Sequence, residues 1–291
     1  MIDIDSLYTK SVLVIDAKTQ EVLFEKNAEL ELEPASLTKL ASCLWSINSL
    51  RYLANQQKKT LEDFLEEEIL ITDYHIKSRP SNLGLKAGDR IKISNLFKAA
   101  LVPSKNDCAK ALGIHIAQLF NKSYKEIILD LNFWLKTTLK CKNTKFLNFS
   151  GLHIKNLEKQ AYTTSLDMYK ILKAVDEDKD LKKYAEIKDN IDIEYYSIEE
   201  QKYINKILTR SDLIGNRKIS IGGEAYNNGV HPDYYYGVRK SGYTPSAKHT
   251  FAAKMNLITN KSFYLIFLCS RTRTLHLSED GSKILEILKN L

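Results

Sequence analysis

The order of strand and helix signals along the chain constrains its fold more than any other sequence feature. Two short β-rich runs at residues 11–16 and 21–25 predict an N-terminal hairpin. Further strand signals come only late in the chain, at residues 218–221, 234–240, 249–255 and 262–269. A final amphipathic helix is predicted at residues 280–291. This order favours one antiparallel sheet that is built from both chain ends and flanked by helices.

The middle of the chain carries mainly helical signals. Apolar residues recur at three- and four-residue spacing from Leu37 to Trp45, and Pro34 suits the entry to that helix. The clearest helices further on are predicted at residues 94–101, 107–120 and 123–139. The charged, tyrosine-rich segment 175–210 has no clean period and is also predicted to be helical. The resulting class is α/β (α+β), with an inserted helical lobe and a cleft between the lobes as the natural site.

Composition narrows the class of protein. The 291 residues suggest about two structural units, at roughly 150 residues per unit. With 44% hydrophobic and 27% charged residues, the chain can form a large core, and intrinsic disorder is not expected. No apolar run approaches the ~18 residues that cross a bilayer, and the start lacks a charged-then-apolar leader. These features fit a cytoplasmic protein or an exported one without its signal.

Charge and metal-ligand patterns exclude further classes. The net charge of +7 comes from 43 basic and 36 acidic side chains, and the basic pairs lie close to acids. This pattern predicts a solvated mixed surface and no nucleic-acid partner. The four cysteines form no C-x-x-C pair, and the six histidines show no H-x-x-x-H or H-E-x-x-H spacing. We therefore predict no disulfide scaffold, no metal site and no cofactor.

The stretch Ser36-Leu-Thr-Lys39 is the first of three motifs that can carry chemistry. Residues three apart on a helix lie on one face with Cβ atoms ~5–6 Å apart, so the Lys39 amine can reach the Ser36 hydroxyl. A serine is a weak nucleophile until a base takes its proton, and a buried lysine with a lowered pKa can be that base. The alternative is a helix-capping serine followed by a surface lysine.

The second motif is Ser104-Lys-Asn106, at the start of a predicted helix. Its structural alternative is strong, because Ser104 and Asp107 also make a good capping box for that helix. A similar S-x-N pattern begins at Ser46 inside the first predicted helix, so this motif alone decides nothing.

The third motif is Lys240-Ser-Gly-Tyr-Thr244, at the end of an aromatic strand. Gly242 removes a side chain where another backbone could approach an exposed sheet edge, and a peptide could add there as an extra strand. The alternative is a strand that ends in a turn from Gly242 to Pro245.

Together, in this order, the three motifs resemble the signature of penicillin-binding proteins and serine β-lactamases. The flanking residues 34–40 and 101–107 resemble the D-alanyl-D-alanine carboxypeptidases, as do residues 240–245, where Ser241 replaces the commoner threonine. Residues 144–152 and 162–167 also resemble these carboxypeptidases, and the resemblance spans roughly residues 11–291.

The resemblance implies a β-lactamase/DD-peptidase-like fold in a single catalytic domain, 1–291. Its α/β lobe would comprise about 1–60 and 215–291, and its helical lobe about 61–214. Such enzymes often carry a β-rich domain and an amphipathic membrane anchor after the catalytic unit. Here the chain stops at Leu291, so membrane association is in doubt.

The resemblance also implies a role for each motif residue. Ser36 would attack the carbonyl between two D-alanines and form an acyl-enzyme, with Lys39 as the general base. Ser104 would relay a proton to the leaving amine, while Asn106 would hold Lys39 and the substrate amide. Lys240 would supply positive potential that lowers the pKa of Lys39 and attracts the terminal carboxylate.

The remaining residues of the third motif would complete the site. Thr244, with Ser241, would hydrogen-bond the substrate carboxylate, and Gly242 would leave room for the approaching backbone. The backbone N–H groups of Ser36 and Tyr243 would form the oxyanion hole.

The implied function is a serine-type D-Ala-D-Ala carboxypeptidase. It would trim peptidoglycan stem peptides outside the cytoplasmic membrane, in the periplasm or its equivalent, and would be acylated by β-lactams. Three alternatives stay open: a β-lactamase, a non-catalytic penicillin-binding sensor, and a cytoplasmic S-x-x-K amidase of the glutaminase kind. The chain lacks the E-x-x-L-N stretch that a β-lactamase would use between Ser104 and Lys240. The amidase would form no covalent penicillin adduct.

Overall fold

A computed structural model describes residues 7–76, 81–187, 190–210, 219–221, 224–226, 234–270 and 280–290 of the chain. Both chain ends contribute to its largest sheet, as the order of strand signals predicts. Its strands are β1 (Ser11–Asp16), β2 (Val22–Lys26), β9 (Tyr234–Thr244), β10 (Lys248–Leu257) and β11 (Ser262–Ser270). Their spatial order is β2-β1-β11-β10-β9, and every neighbouring pair is antiparallel.

Both faces of this sheet are covered. Side chains alternate across a strand, and in β1 Val12 and Val14 join one core cluster while Leu13 and Ile15 join the other. The smaller cluster includes Ile284 and Leu288 of the C-terminal helix, and the larger one contains most of the other helices. An antiparallel sheet between helices is the α/β (α+β) class that the sequence predicts.

The helices of the middle segment lie close to their predicted positions. They are α1 (Thr38–Gln57), α2 (Leu61–Glu66), α3 (Asp73–Ile76), α4 (Ile93–Leu101), α5 (Asn106–Leu119), α6 (Tyr124–Thr137), α7 (Ser165–Glu177) and α8 (Lys179–Ala185). The C-terminal helix is α9 (Asp280–Asn290). Within the described residues, no helix is both long and apolar enough to cross a membrane.

A second sheet corrects the prediction that the whole segment 175–210 is helical. Its strands are β3 (Glu68–Leu70), β4 (Arg90–Lys92), β5 (Asn190–Ser197) and β6 (Lys202–Thr209), in that spatial order. In β5, Ile191, Ile193 and Tyr195 are buried and alternate with exposed residues. This period of two buries one face of a hairpin, which a helix could not do with the same residues.

The late strand signals are confirmed with two adjustments. The signal at residues 218–221 corresponds to β7 (Ile219–Ile221), which pairs with β8 (Glu224–Tyr226), and residue 218 lies outside the described residues. Strand β9 continues past Lys240 to Thr244, so the backbone from Gly242 to Thr244 is strand and not the predicted alternative turn. Pairing of Gly242 with Thr250 and of Thr244 with Lys248 extends the ladder.

A buried ionic cluster joins α7 and α8 to the main sheet. Asp176 binds Lys254 and Lys182 at 2.8 Å each and accepts a hydrogen bond from Tyr264 at 2.9 Å. Burial by itself raises the pKa of Asp176, but these three partners outweigh it, so the net pKa is lowered. The stability that this carboxylate contributes is therefore present above its unfolded-state pKa and lost as the pH falls through its folded-state value.

Asp176→Asn is expected to lower the free energy of unfolding by about 3 kcal/mol, because it leaves the partly buried Lys254 without its counter-ion and Lys182 with only the longer contact to Glu186, at 3.5 Å. Asp180→Asn is the matched control, since Asp180 is 46% exposed and its ion pair with Arg51 is worth about 0–1 kcal/mol. Urea unfolding of both variants measures the difference. Equal losses would contradict the role given to the Asp176 cluster.

Candidate active site

Ser36 lies in a short 3₁₀ helix, Ala35–Leu37, that leads directly into α1. Ala35 has a φ of +47°, a conformation that non-glycine residues seldom adopt. Such backbone outliers cluster at functional sites, where the surrounding structure holds them in place. The Ser36 side chain is half-buried, and the capping residue of α1 is Leu37 without a side-chain cap. The alternative of a helix-capping serine is therefore wrong.

Lys39 is completely buried, which also excludes the surface-lysine alternative. Its Nζ donates to Ser36 Oγ at 2.9 Å, to Asn106 Oδ1 at 2.7 Å and to the Ser150 carbonyl at 2.9 Å. Burial, and not the charge of Lys240 as expected, is the main cause that lowers the pKa of the Lys39 amine to about 7, because it disfavours the charged form. Nearby Cys43, Cys108 and Asp107 only partly oppose this shift. A substantial fraction of the amine is thus neutral near pH 7.

The Ser150 carbonyl is a ligand of Lys39 that the motifs do not predict. Asn148 Oδ1 accepts hydrogen bonds from the backbone N–H groups of Ser150, Gly151 and Leu152, and so holds this turn closed. Gly151 has a φ of +75°, and a Cβ there would lie 1.8 Å from the Ala35 carbonyl oxygen. The signal available in the sequence was the stretch ending Asn148-Phe-Ser-Gly151, where only glycine fits.

The second motif begins α5 at the residue that binds Lys39. Asn106 is the first residue of that helix, and its N–H donates to the Ser81 carbonyl at 2.8 Å. Ser104 is buried with a φ of +63°, and its hydroxyl is not among the partners of Lys39 within the described residues. The cap of α5 is Lys105, without a side-chain hydrogen bond, so the capping-box alternative is wrong. The carboxylate of Asp107 instead accepts from the N–H of Leu83 at 2.9 Å.

The third motif lies on β9, an edge strand among the strands that the structure describes. A Cβ added to Gly242 would lie 2.7 Å from the Ser36 nitrogen, so this strand passes directly beside the nucleophile segment. Lys240 is buried, and its Nζ donates to the Ser241 carbonyl at 3.0 Å. Tyr243 is 57% exposed at the rim, where its ring lies 4.6 Å from that of His249.

Thr244 completes the third motif at the end of β9. Its hydroxyl accepts from the Ala247 N–H at 3.0 Å and lies 3.3 Å from Ser246 Oγ. Direct hydrogen bonds thus join Ser36, Lys39 and Asn106, and β9 places the third motif against them. The described residues contain no group of three or more histidine, cysteine, aspartate or glutamate side chains that could hold a metal ion.

Gly242→Ala is expected to slow the reaction of the Ser36 hydroxyl with an acylating substrate by roughly 10²-fold, because a misplacement of about 1 Å near the reacting groups can cost this much. The added Cβ would lie 2.7 Å from both the Ser36 nitrogen and Thr250 Oγ1, so strand and nucleophile must move apart. Gly237→Ala on the same strand is the control, since the atom nearest to its Cβ would be the flexible end of Glu186, at 3.1 Å, and Asn256 Nδ2 would lie at an ordinary contact distance of 3.4 Å. Equal acylation rates of the two variants would contradict the close approach.

Comparison with known proteins identifies the family of this chain. Residues 3–262 match the D-alanyl-D-alanine carboxypeptidase family (Peptidase S11), and the chain belongs to this family. The carboxypeptidase DacF of Bacillus subtilis is 27% identical over 159 residues, which cover 55% of this chain and 36% of DacF. The chain thus spans little more than a third of the length of that relative.

Solved structures share the fold at lower identity. The D-alanyl-D-alanine carboxypeptidase of Mycobacterium tuberculosis superposes with a TM-score of 0.71 at 15% identity, over 100% of this chain and 94% of that one. Ampicillin-bound penicillin-binding protein D2 of Listeria monocytogenes gives 0.69 at 18% identity, over 97% of both chains. The predicted DD-peptidase-like fold is confirmed.

Proposed function

We propose that the protein is a serine-type D-Ala-D-Ala carboxypeptidase that removes the terminal D-alanine from peptidoglycan stem peptides. The observation that carries this proposal is the hydrogen-bonded group of Ser36, Lys39 and Asn106, with a Lys39 pKa of about 7. Membership of the family supports the substrate class. A nucleophile with a buried amine as its base is suited to acyl transfer without a metal or cofactor.

Acylation begins with the neutral Lys39 amine. It takes the Ser36 proton while Oγ attacks the carbonyl carbon of the penultimate D-alanine. The distance of 2.9 Å between Lys39 Nζ and Ser36 Oγ is within the range that general base catalysis requires. The tetrahedral intermediate then loses the terminal D-alanine as its C–N bond breaks. The Ser104 hydroxyl is not hydrogen-bonded to Lys39 within the described residues, and it relays the proton from Lys39 to the leaving nitrogen once the substrate is bound. Asn106 keeps Lys39 in position through the 2.7 Å hydrogen bond. Water then hydrolyses the ester and restores Ser36.

The oxyanion is stabilised between the nucleophile segment and β9. The backbone N–H groups of Ser36 and Tyr243 form the oxyanion hole, and the loss of one such donor costs about 10²–10³ in rate. The absence of a side chain at Gly242 supports this assignment, because it lets the strand approach the Ser36 nitrogen.

The substrate binds as an added strand along the edge of β9. Main-chain hydrogen bonds provide affinity in this mode of peptide recognition. The terminal carboxylate lies toward the buried Lys240 and is hydrogen-bonded by the hydroxyls of Ser241 and Thr244. A positive potential in a site of low dielectric strengthens this interaction.

The proposal extends to partners, location and domain organisation. β-Lactams are covalent inhibitors, consistent with an ampicillin-bound neighbour of the same fold. A peptidoglycan substrate places the enzyme outside the cytoplasmic membrane. The chain acts as a single catalytic domain, with an α/β lobe at about 1–60 and 215–291 and a helical lobe at about 61–214.

Intact-mass spectrometry after incubation with benzylpenicillin tests the proposed chemistry. The wild-type protein is expected to gain the mass of one penicillin and to retain the adduct. An adduct that is lost rapidly with release of hydrolysed drug would point to a β-lactamase. The absence of any adduct would contradict the proposal and favour an amidase.

A further inference from the structure

Three polar side chains meet beside Thr244 at the rim of the candidate site. Ser246 Oγ donates to Glu33 Oε2 at 2.7 Å, and His153 Nδ1 lies 3.2 Å from Ser246 Oγ and 3.3 Å from the same Glu33 oxygen. The His153 side chain is 42% exposed and that of Glu33 24%. None of the three belongs to the motifs, and we call them the rim cluster.

The rim cluster connects three segments that each lead into a part of the candidate site. Glu33 lies three residues before Ser36. His153 lies three residues after Ser150, whose carbonyl accepts a hydrogen bond from Lys39. Ser246 follows Thr244 in the turn between β9 and β10. Residues distant in sequence thus form one hydrogen-bonded group around the end of β9.

Hydrogen-bond chemistry fixes the direction of the contacts at Ser246. An ionised carboxylate only accepts, so the single Ser246 proton points to Glu33 and its lone pairs face Thr244 and His153. The Thr244 oxygen already accepts from the Ala247 N–H at 3.0 Å. The Thr244 proton therefore points toward Ser246 at 3.3 Å, a long contact for two hydroxyls, and can turn to a better acceptor.

We propose that the rim cluster positions the Thr244 hydroxyl as a donor to the C-terminal carboxylate of the substrate, and that it sets the preference for substrates with a free carboxylate. This inference rests on the proposed function. Ser246 is the central member, because its hydroxyl orients the Thr244 hydroxyl and also donates a hydrogen bond to the Glu33 carboxylate. Without it, the Thr244 hydroxyl loses its acceptor, and the Glu33 carboxylate near the substrate carboxylate loses its shortest hydrogen bond and keeps only the 3.3 Å contact to His153. Both effects weaken binding of an anion more than binding of a neutral group.

Two thioester substrates that differ only in their terminal carboxylate measure its contribution to binding and turnover. Benzoyl-D-alanyl-thioglycolate ends in a free carboxylate, its methyl ester does not, and the released thiol measures the turnover of each. Ser246→Ala is expected to lower the preference for the acid about tenfold, as expected for one lost hydrogen bond to a charged group, and mainly through KM. The turnover of the methyl ester should be unchanged. Ser246→Thr, which keeps the hydroxyl, should restore the preference.

Tyr203→Phe is the matched control, because it removes another exposed hydroxyl-to-carboxylate contact, to Glu68 at 2.9 Å. This variant should keep the wild-type preference. An unchanged preference in Ser246→Ala, or an equal loss on both thioesters, would overturn the inference while the proposed function stands. If the wild-type protein turns over neither thioester, the proposed function and this inference both fail.

Discussion

Ser36→Ala is expected to abolish covalent acylation by benzylpenicillin and to reduce D-alanine release by about 10⁶-fold, the loss seen when a catalytic serine is removed from a hydrolase. The variant has no substitute nucleophile, because no other hydroxyl accepts a hydrogen bond from Lys39 within the described residues. The variant should fold normally. Ser36 is half-buried, and Lys39 keeps its bonds to Asn106 and to the Ser150 carbonyl.

Ser46→Ala is the matched control for this prediction. Ser46 lies ten residues after Ser36, within α1, and begins the second S-x-N pattern. Its buried hydroxyl has no hydrogen-bond partner within the described residues. Its removal should leave acylation at the wild-type rate. A penicillin adduct of normal mass on Ser36→Ala, located by peptide mapping to another residue, would contradict the assignment of the nucleophile.

Lys39→Met is expected to slow acylation by about 10²–10⁴-fold, the usual contribution of a general base. Methionine is unbranched and of similar length, so it can occupy the same buried space. The Ser36 hydroxyl would remain but would have no base at 2.9 Å to take its proton. Single-turnover acylation by benzylpenicillin measures the effect, and circular dichroism checks that the fold is retained. A variant that acylates at the wild-type rate would exclude Lys39 as the base.

The pH dependence of acylation tests the same base in the wild-type protein. Burial lowers the pKa of Lys39 to about 7, so the neutral amine is the minor form below this pH and the major form above it. Acylation should therefore accelerate as the pH rises through about 7 and then level off. The same rise should be missing in Lys39→Met. A wild-type rate that falls over this range would show that the protonated amine is the active form.

The candidate site was predictable because its residues fall into three short motifs. Each motif alone has an ordinary structural explanation, as the look-alike at Ser46 shows. Their order and their placement on two helix starts and one strand carry the information. Ser36, Lys39 and Asn106 are joined in the structure because the helix starts of α1 and α5 face each other across a single buried amine.

The β5–β6 hairpin was missed although a local signal existed. Ile191, Ile193 and Tyr195 alternate with exposed residues, but this run of eight is short and stands in a charged, tyrosine-rich segment. Pairing with β4 on one side and β6 on the other fixes β5 as a strand, and the larger core cluster covers the face that carries Ile191, Ile193 and Tyr195. Strand pairing therefore determines that this part of the segment is a hairpin, although the sequence period over the whole segment 175–210 gives no clear signal.

The three motifs did not predict the contact of the Ser150 carbonyl with Lys39 or the rim cluster. The first is a backbone contact, created by the turn that Asn148 closes and Gly151 permits. The second joins Glu33, His153 and Ser246 over more than two hundred positions of sequence. Side-chain type predicts such contacts only when the fold is already known.

D-alanine release from a stem pentapeptide that ends in D-Ala-D-Ala tests the proposed activity most directly. The wild-type protein is expected to release the terminal D-alanine catalytically and to leave a tetrapeptide, while Ser36→Ala releases no D-alanine above background. Benzylpenicillin acylation without any D-alanine release would contradict carboxypeptidase activity and identify a penicillin-binding protein without this reaction.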